Sequence, residues 1–316
     1  MNNQLVEYIN SSFMSNIKTD AEREKIAAAT GDYLRIKLRE RGVARHIINP
    51  QPITALECTR SDKHEGLEYI IDIEPDSKAM VIDFRSEPDG TYITGPRYKV
   101  PFFGITTDRF SKKESELASY RSPITKIIEG NMGKDIEYVE DVTFFSHVDA
   151  AIAKAEAEFG AGTKFKNVTV NTYGDILDGI VDGMNLIETG DPSGPTKDNN
   201  RPCGTIVMCK PTFNSLYKIG AEKLGLELRS EITKDGYIYD KLMGMRLVVT
   251  MKTGLVKPGQ VYFFAPQEYL GVFYILNDIR MYIEKRFDVV EMQAQEEIGM
   301  GLHNISACAC IQLSKI

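Results

Sequence analysis

The chain has 316 residues, 42% of them hydrophobic, with 38 Lys and Arg against 45 Asp and Glu for a net charge of −7. That is enough apolar content for one large domain or two ordinary ones. The acidity disfavours a protein that grips nucleic acid along its surface, though not one that encloses it. No run of about 18 apolar residues exists to form a membrane helix, and the opening MNNQLVEYINSSF lacks the basic start and apolar centre of a secretory signal.

Residues 1–60 read as an arm. Thr19 and Glu22 form a capping box. A helix follows to Arg41 with Ile26, Ala29, Tyr33, Leu34 and Leu38 on one face, and Gly42 stops it. VARHIINPQPITALECT reads as extended, because Pro50 and Pro52 forbid a helix. The arm has few apolar residues for its length, so its partner surface is expected outside itself.

Residues 65–105 read as a long β-hairpin. LEYIIDI and KAMVIDFR form the outward limb, Pro88-Asp89-Gly90 the turn, and TYITGPRYKVPFFGI the return. Pro96 and Pro101 predict that the return limb is a sheet edge. An isolated hairpin is marginal in water. It therefore lies either on a neighbouring surface or back on its own domain. In the first case Asp83, Arg85, Asp89, Arg97 and Lys99 are the candidate contact residues.

Ser111 and Glu114 offer a second capping box, which predicts a helix over Ser111–Phe145. Leu117, Ile124, Ile127, Ile128, Met132, Ile136 and Val139 make its apolar stripe. Ser122-Pro123 can bend or restart it, and Gly130 and Gly133 each weaken it by about 1 kcal/mol relative to alanine. SHVDAAIAKAEAEFGAGTKF continues helical and ends in a Gly-rich turn, and NVTVNT is a short strand. YGDILDGIVDGMNLI predicts a helix with Ile176, Leu177, Ile180, Val181, Met184 and Ile187 facing inward.

Residues 188–202 read as an exposed loop. TIVMC reads as a buried strand, and Pro211 opens a helix that runs to about Gly225. LELRSEI, a turn at Asp235-Gly236, MRLVVTM and VYFFA supply further strands, so 160–275 reads as a compact α/β unit. The tail, 276–316, reads as long strands with a break at His303-Asn304, pairing beside the long helix.

Catalytic and metal patterns are missing. His46, His64, His147 and His303 have no ligand spacing, and Cys308 and Cys310 lack the second pair that a zinc site needs. Five cysteines, thinly spread, suggest reduced buried thiols and assembly inside a cell. Asp175, Asp178 and Asp182 read as a solvated helix face, not a calcium loop. Gly190–Lys197 lacks the spacing of a phosphate loop. Glu296 and Glu297 face opposite ways on a strand, so they share no site. No nucleophile elbow, dinucleotide fingerprint or zincin motif occurs. No cofactor and no enzymatic activity is expected.

The order of elements resembles the tailed-bacteriophage major capsid protein family, the Hong Kong 97-like fold. SKKESELASYRSPITKIIEGNMGKDIEYVEDVTFF looks like its spine-helix region, VYFFAPQEYLGVF like the end of its axial domain, and EEIGMGLHNISACACIQL like its closing strands. The resemblance implies an α+β fold with an N-terminal arm (1–60), an extended loop (61–108), a peripheral domain with spine helix (109–159), an inserted axial domain (160–275) and returning peripheral strands (276–316). It implies a virion shell subunit that assembles in the host cytoplasm. Copies would form pentamers and hexamers of an icosahedral shell enclosing double-stranded DNA, with scaffold, portal and decoration proteins as further partners. An arm this short favours a separate scaffold or none. Lys–Asn crosslinking, known in one member, has no residue match at Lys78, Lys99 or Lys112. An encapsulin-type shell with protein cargo is the nearest alternative. A soluble acidic α/β enzyme with 188–202 as a lid is another.

Overall fold

The structure is a computed structural model that describes residues 42–61, 66–72, 81, 97–113, 124–189, 201–216, 218 and 241–314. The predicted arm helix, the hairpin turn, the loop at 190–200 and the strands proposed between 219 and 240 lie outside these residues. The described residues fall into two compact units. One contains Thr106–Tyr138 and Ile279–Glu296, the other Gly42–Ile105, Val139–Asp278 and Glu297–Ile316.

The larger unit opens with a single turn of helix, α1 (Ala44–Ile47), where the prolines predicted extended chain throughout. Those prolines act only downstream, at the short strand β1 (Gln51–Pro52). Strands β2 (Thr59–Arg60), β3 (Leu67–Asp72) and β4 (Arg97–Thr106) follow, with β3 and β4 antiparallel as the hairpin reading requires. The edge prediction for the return limb is corrected, because β4 lies between β3 and the strand β12 (Val289–Leu302). Pro101 is tolerated because it stands opposite Glu68, at the end of the β3–β4 ladder, where a missing N–H removes little.

The long helix, α2, spans Ile124–Phe159, 36 residues. The capping-box start is corrected: Ser111 lies in a strand, β5 (Phe110–Lys113), which pairs with β12. The described helix begins at Ile124, after the Ser122-Pro123 pair that lies outside the described residues. The buried side chains at Met132, Ile136, Phe144, Phe145, Val148, Ile152 and Ala155 keep the 3.6-residue period, while Val139, placed on the stripe by sequence, is exposed. Ile127's side chain lies outside the description. Gly160 ends the helix with a left-handed φ of 106°, a conformation glycine adopts without steric cost.

The second sheet belongs wholly to the larger unit. Its strands are β6 (Phe165–Thr169), β7 (Thr205–Cys209), β8 (Lys241–Leu242), β9 (Met245–Thr250), β10 (Gln260–Phe264) and β13 (Cys308–Ser314), in the order β6-β13-β10-β7-β9-β8. All five residues of TIVMC are buried, as a strand covered on both faces demands. The last returning strand, β13, lies between β6 and β10, and α2 packs on β10 through Phe144, Phe145 and Asp149. The break at His303-Asn304 is where the chain leaves β12, and a single 3-10 turn at Ile305–Ala307 leads into β13.

Helix α3 (Asp175–Glu188) covers this sheet. Its buried face is Ile176, Gly179, Ile180, Gly183 and Ile187, and Val181 is exposed. The contact is set by the two glycines, not by a full row of large apolar residues. Helix α4 (Lys210–Leu216) follows β7.

Candidate interface elements

The base of the hairpin folds into its own unit. Ile53, Val100 and Tyr274 form a buried cluster with Tyr69, Ile71 and Tyr98 packed against it. The rings of Tyr69 and Tyr274 lie 4.8 Å apart, within the range of favourable aromatic pairs. Tyr98 donates to the Leu302 carbonyl at 3.3 Å. Of the five candidate contact residues, Asp83, Arg85 and Asp89 lie outside the described residues. Arg97 and Lys99 are described, and each has a cross-strand partner: Arg97 meets Asp72 at 3.1 Å and Lys99 meets Glu68 at 3.4 Å. All four side chains retain solvent exposure, so these pairs hold register more than they add stability.

Sequence reasoning missed a polar clamp in the larger unit. Glu140 and Asp141 are fully buried on α2. Asp141 accepts the backbone N–H of Val43 and of Ala44, each at 2.7 Å, and the Lys252 ammonium at 2.6 Å. Burial pushes the Asp141 carboxyl above its usual range, against the Lys252 ammonium and the two amides. Glu140 takes Arg45 in a two-point bond, Nη2 at 2.6 Å and Nε at 2.9 Å. Arg45 also lies 3.9 Å from Asp278 and stacks 5.9 Å above the Phe273 ring. Next along the chain, Arg246 donates to the His46 carbonyl at 2.7 Å, and Asn49 and Gln267 exchange two bonds. The available signal was a pair of carboxylates in phase with an apolar stripe, between Ile136 and Phe144.

A second internal bond set closes the end of α2. Glu156 accepts the backbone N–H groups of Gly162 and Phe165 at 2.6 and 2.8 Å, and that of Lys164. Burial pushes its carboxyl up, but the amides of Lys164, Gly162 and Phe165 outweigh that and hold it below its usual range. The Lys164 side chain is itself buried and donates to the Leu186 carbonyl, in the last turn of α3.

All five cysteines are free, and Cys203, Cys209, Cys308 and Cys310 are buried. Burial pushes the thiols of Cys203, Cys308 and Cys310 up to about 12. Among the described residues no group of three or more metal-ligating side chains comes together. Glu296 is buried while Glu297 accepts from Asn277, so the pair is split across β12 as its strand position requires. In the smaller unit, the hairpin of β11 (Gly271–Arg286) and β12 exposes Tyr282, Ile283 and Phe287, and Phe287 holds a φ of 57° at its turn.

Comparison with solved structures covers nearly the whole chain. The capsid of cyanophage P-SCSP1u superposes with a TM-score of 0.58 at 10% identity, over 88% of this chain and 90% of that one. A protein of Microbacterium phage Oxtober96 gives 0.59 at 11% identity, over 87% and 92%. A virus-like particle from Pyrococcus furiosus gives 0.52 at 14% identity, over 92% and 98%. The fold is the Hong Kong 97-like capsid fold. No protein-family model and no curated protein sequence matches the chain, so the likeness lies in architecture rather than sequence. The Hong Kong 97-like fold accounts for a long helix, a hairpin and two sheets of different composition in one chain.

Proposed function

We propose that this chain is the major capsid protein of a tailed bacteriophage. It is a structural subunit, not an enzyme, and assembles into pentamers and hexamers of an icosahedral shell that encloses double-stranded DNA. The observation that carries this reading is the agreement of fold with phage capsids over most of both chains. The net charge of −7 suits a shell that contains DNA without binding it tightly. In this reading residues 61–108 are the extended loop that lies over a neighbour. Residues 109–159 carry the spine helix of the peripheral domain, and 160–275 form most of the axial domain. Strand β13 adds the chain's last segment to the axial sheet. Scaffold, portal and decoration proteins are its further partners, and the virion is its location after assembly in the host cytoplasm.

The match to the Pyrococcus furiosus virus-like particle favours one second reading, a shell of encapsulin type with protein cargo. Sedimentation of the chain expressed alone tests for assembly. Rings of five or six subunits or closed shells support a shell protein, and a chain that stays monomeric at every concentration and forms no particles alongside its neighbouring structural proteins overturns it. Nuclease-resistant DNA inside particles made during infection separates phage from encapsulin.

A further inference from the structure

A single turn of helix cannot hold itself in place. Yet α1 is held by two consecutive buried carboxylates, Glu140 through Arg45 and Asp141 through the Val43 and Ala44 amides and Lys252. Buried carboxylates persist only where they are paired, and a well-packed apolar pair would serve stability equally well. Their placement explains them better. The larger unit begins at Gly42, is left after Ile105, is re-entered at Val139, is left after Asp278 and is re-entered at Glu297. Val43 and Arg45 follow the entry at Gly42, Glu140 and Asp141 follow the entry at Val139, and Asp278 stands at the second exit, 3.9 Å from Arg45. Asn277, next to Asp278, donates to Glu297 at the last entry.

We propose that Glu140, Asp141, Arg45 and Lys252 form a positioning site. It ties together the entries at Gly42 and Val139 and the exit at Asp278, and so sets a single curvature when copies assemble. This rests on the shell reading above. The groups act through the geometry of their own chain. A purely structural role would lower overall stability; a positioning role moves local protection and particle size.

The test removes both members of a pair at once, which avoids an orphaned charge. One variant carries Arg45→Met with Glu140→Gln, and another carries Asp141→Asn with Lys252→Met. Both are expected to melt in one transition near the wild type. Amide hydrogen exchange at Val43–Ile48 is expected to rise about tenfold or more as the segment opens locally. Particles are expected to spread over several diameters where the wild type gives one. Exchanging the charges, Arg45→Glu with Glu140→Arg, is expected to restore part of the protection, and Lys252→Arg to behave as wild type. Unchanged exchange at Val43–Ile48, or an unchanged diameter distribution, overturns the proposal. So does a double variant that fails to fold while its charge-exchanged counterpart fails equally. A wild-type chain that never forms particles refutes the shell reading instead, and the exchange measurement then decides the clamp alone.

Discussion

Gly183 of α3 lies so close to Phe263 of β10 that a Cβ built on it would overlap the edge of the phenyl ring. Both residues are buried. The helix rests on the sheet at this point because the side chain is absent. Gly183→Ala would gain about 1 kcal/mol of helix propensity but must displace a packed ring, which costs about 1–3 kcal/mol. A lower urea midpoint is expected. Gly179→Ala meets the flexible Leu313 side chain at 2.9 Å and should cost less. A Gly183→Ala chain as stable as wild type would show that the helix can lift without loss.

Glu156 links stability to pH. Its folded carboxyl is held below the usual glutamate range by the amides of Lys164, Gly162 and Phe165, so the unfolded chain binds its proton first as pH falls. The stability it contributes is complete above the unfolded value and is lost as pH falls through the folded one. Glu156→Gln should therefore lower the melting temperature at pH 7 and flatten the loss of stability as pH falls through about 5 to 3, the range in which glutamate and aspartate carboxyls ordinarily titrate. Equal acid sensitivity in wild type and variant would assign the effect to other carboxylates.

The thiols give a direct check on burial. With Cys203, Cys308 and Cys310 pushed up to about 12 and Cys209 buried, a thiol reagent at pH 8 should titrate only the half-buried Cys58 quickly in the native chain. All five should react in denaturant. Rapid native reaction of two or more would show that the second sheet opens readily.

Shortening the hairpin between Arg85 and Tyr92 should leave the larger unit folded, because its base is already anchored by Ile53, Val100 and Tyr274. Assembly should be weakened or blocked. An unfolded variant would show that the loop belongs to the chain's own core.

Much of this was legible from periodicity and turn chemistry. The long helix, the all-buried TIVMC strand, the Gly-rich turn after the helix and the β3–β4 hairpin follow from local rules that act within a few residues. What failed depended on partners distant in sequence. Ser111-x-x-Glu114 looks like a helix start, but β12, nearly 180 residues later, recruits Ser111 into a strand. Pro101 reads as an edge until the strand on its other side is known. β13 carries no mark of which sheet it joins. The Glu140-Asp141 clamp hides in an apolar stripe because its donors come from Val43 and Lys252, on either side in the chain. The candidate contacts Arg97 and Lys99 pair within their own hairpin, which charge alone did not foretell.

The most direct test of the shell reading is negative-stain microscopy of the protein expressed alone, with its mass measured in solution. Closed shells, tubes, or rings of five or six subunits are the predicted result. A chain that stays monomeric at every concentration, and shows no particles when made alongside its neighbouring structural proteins, would contradict it.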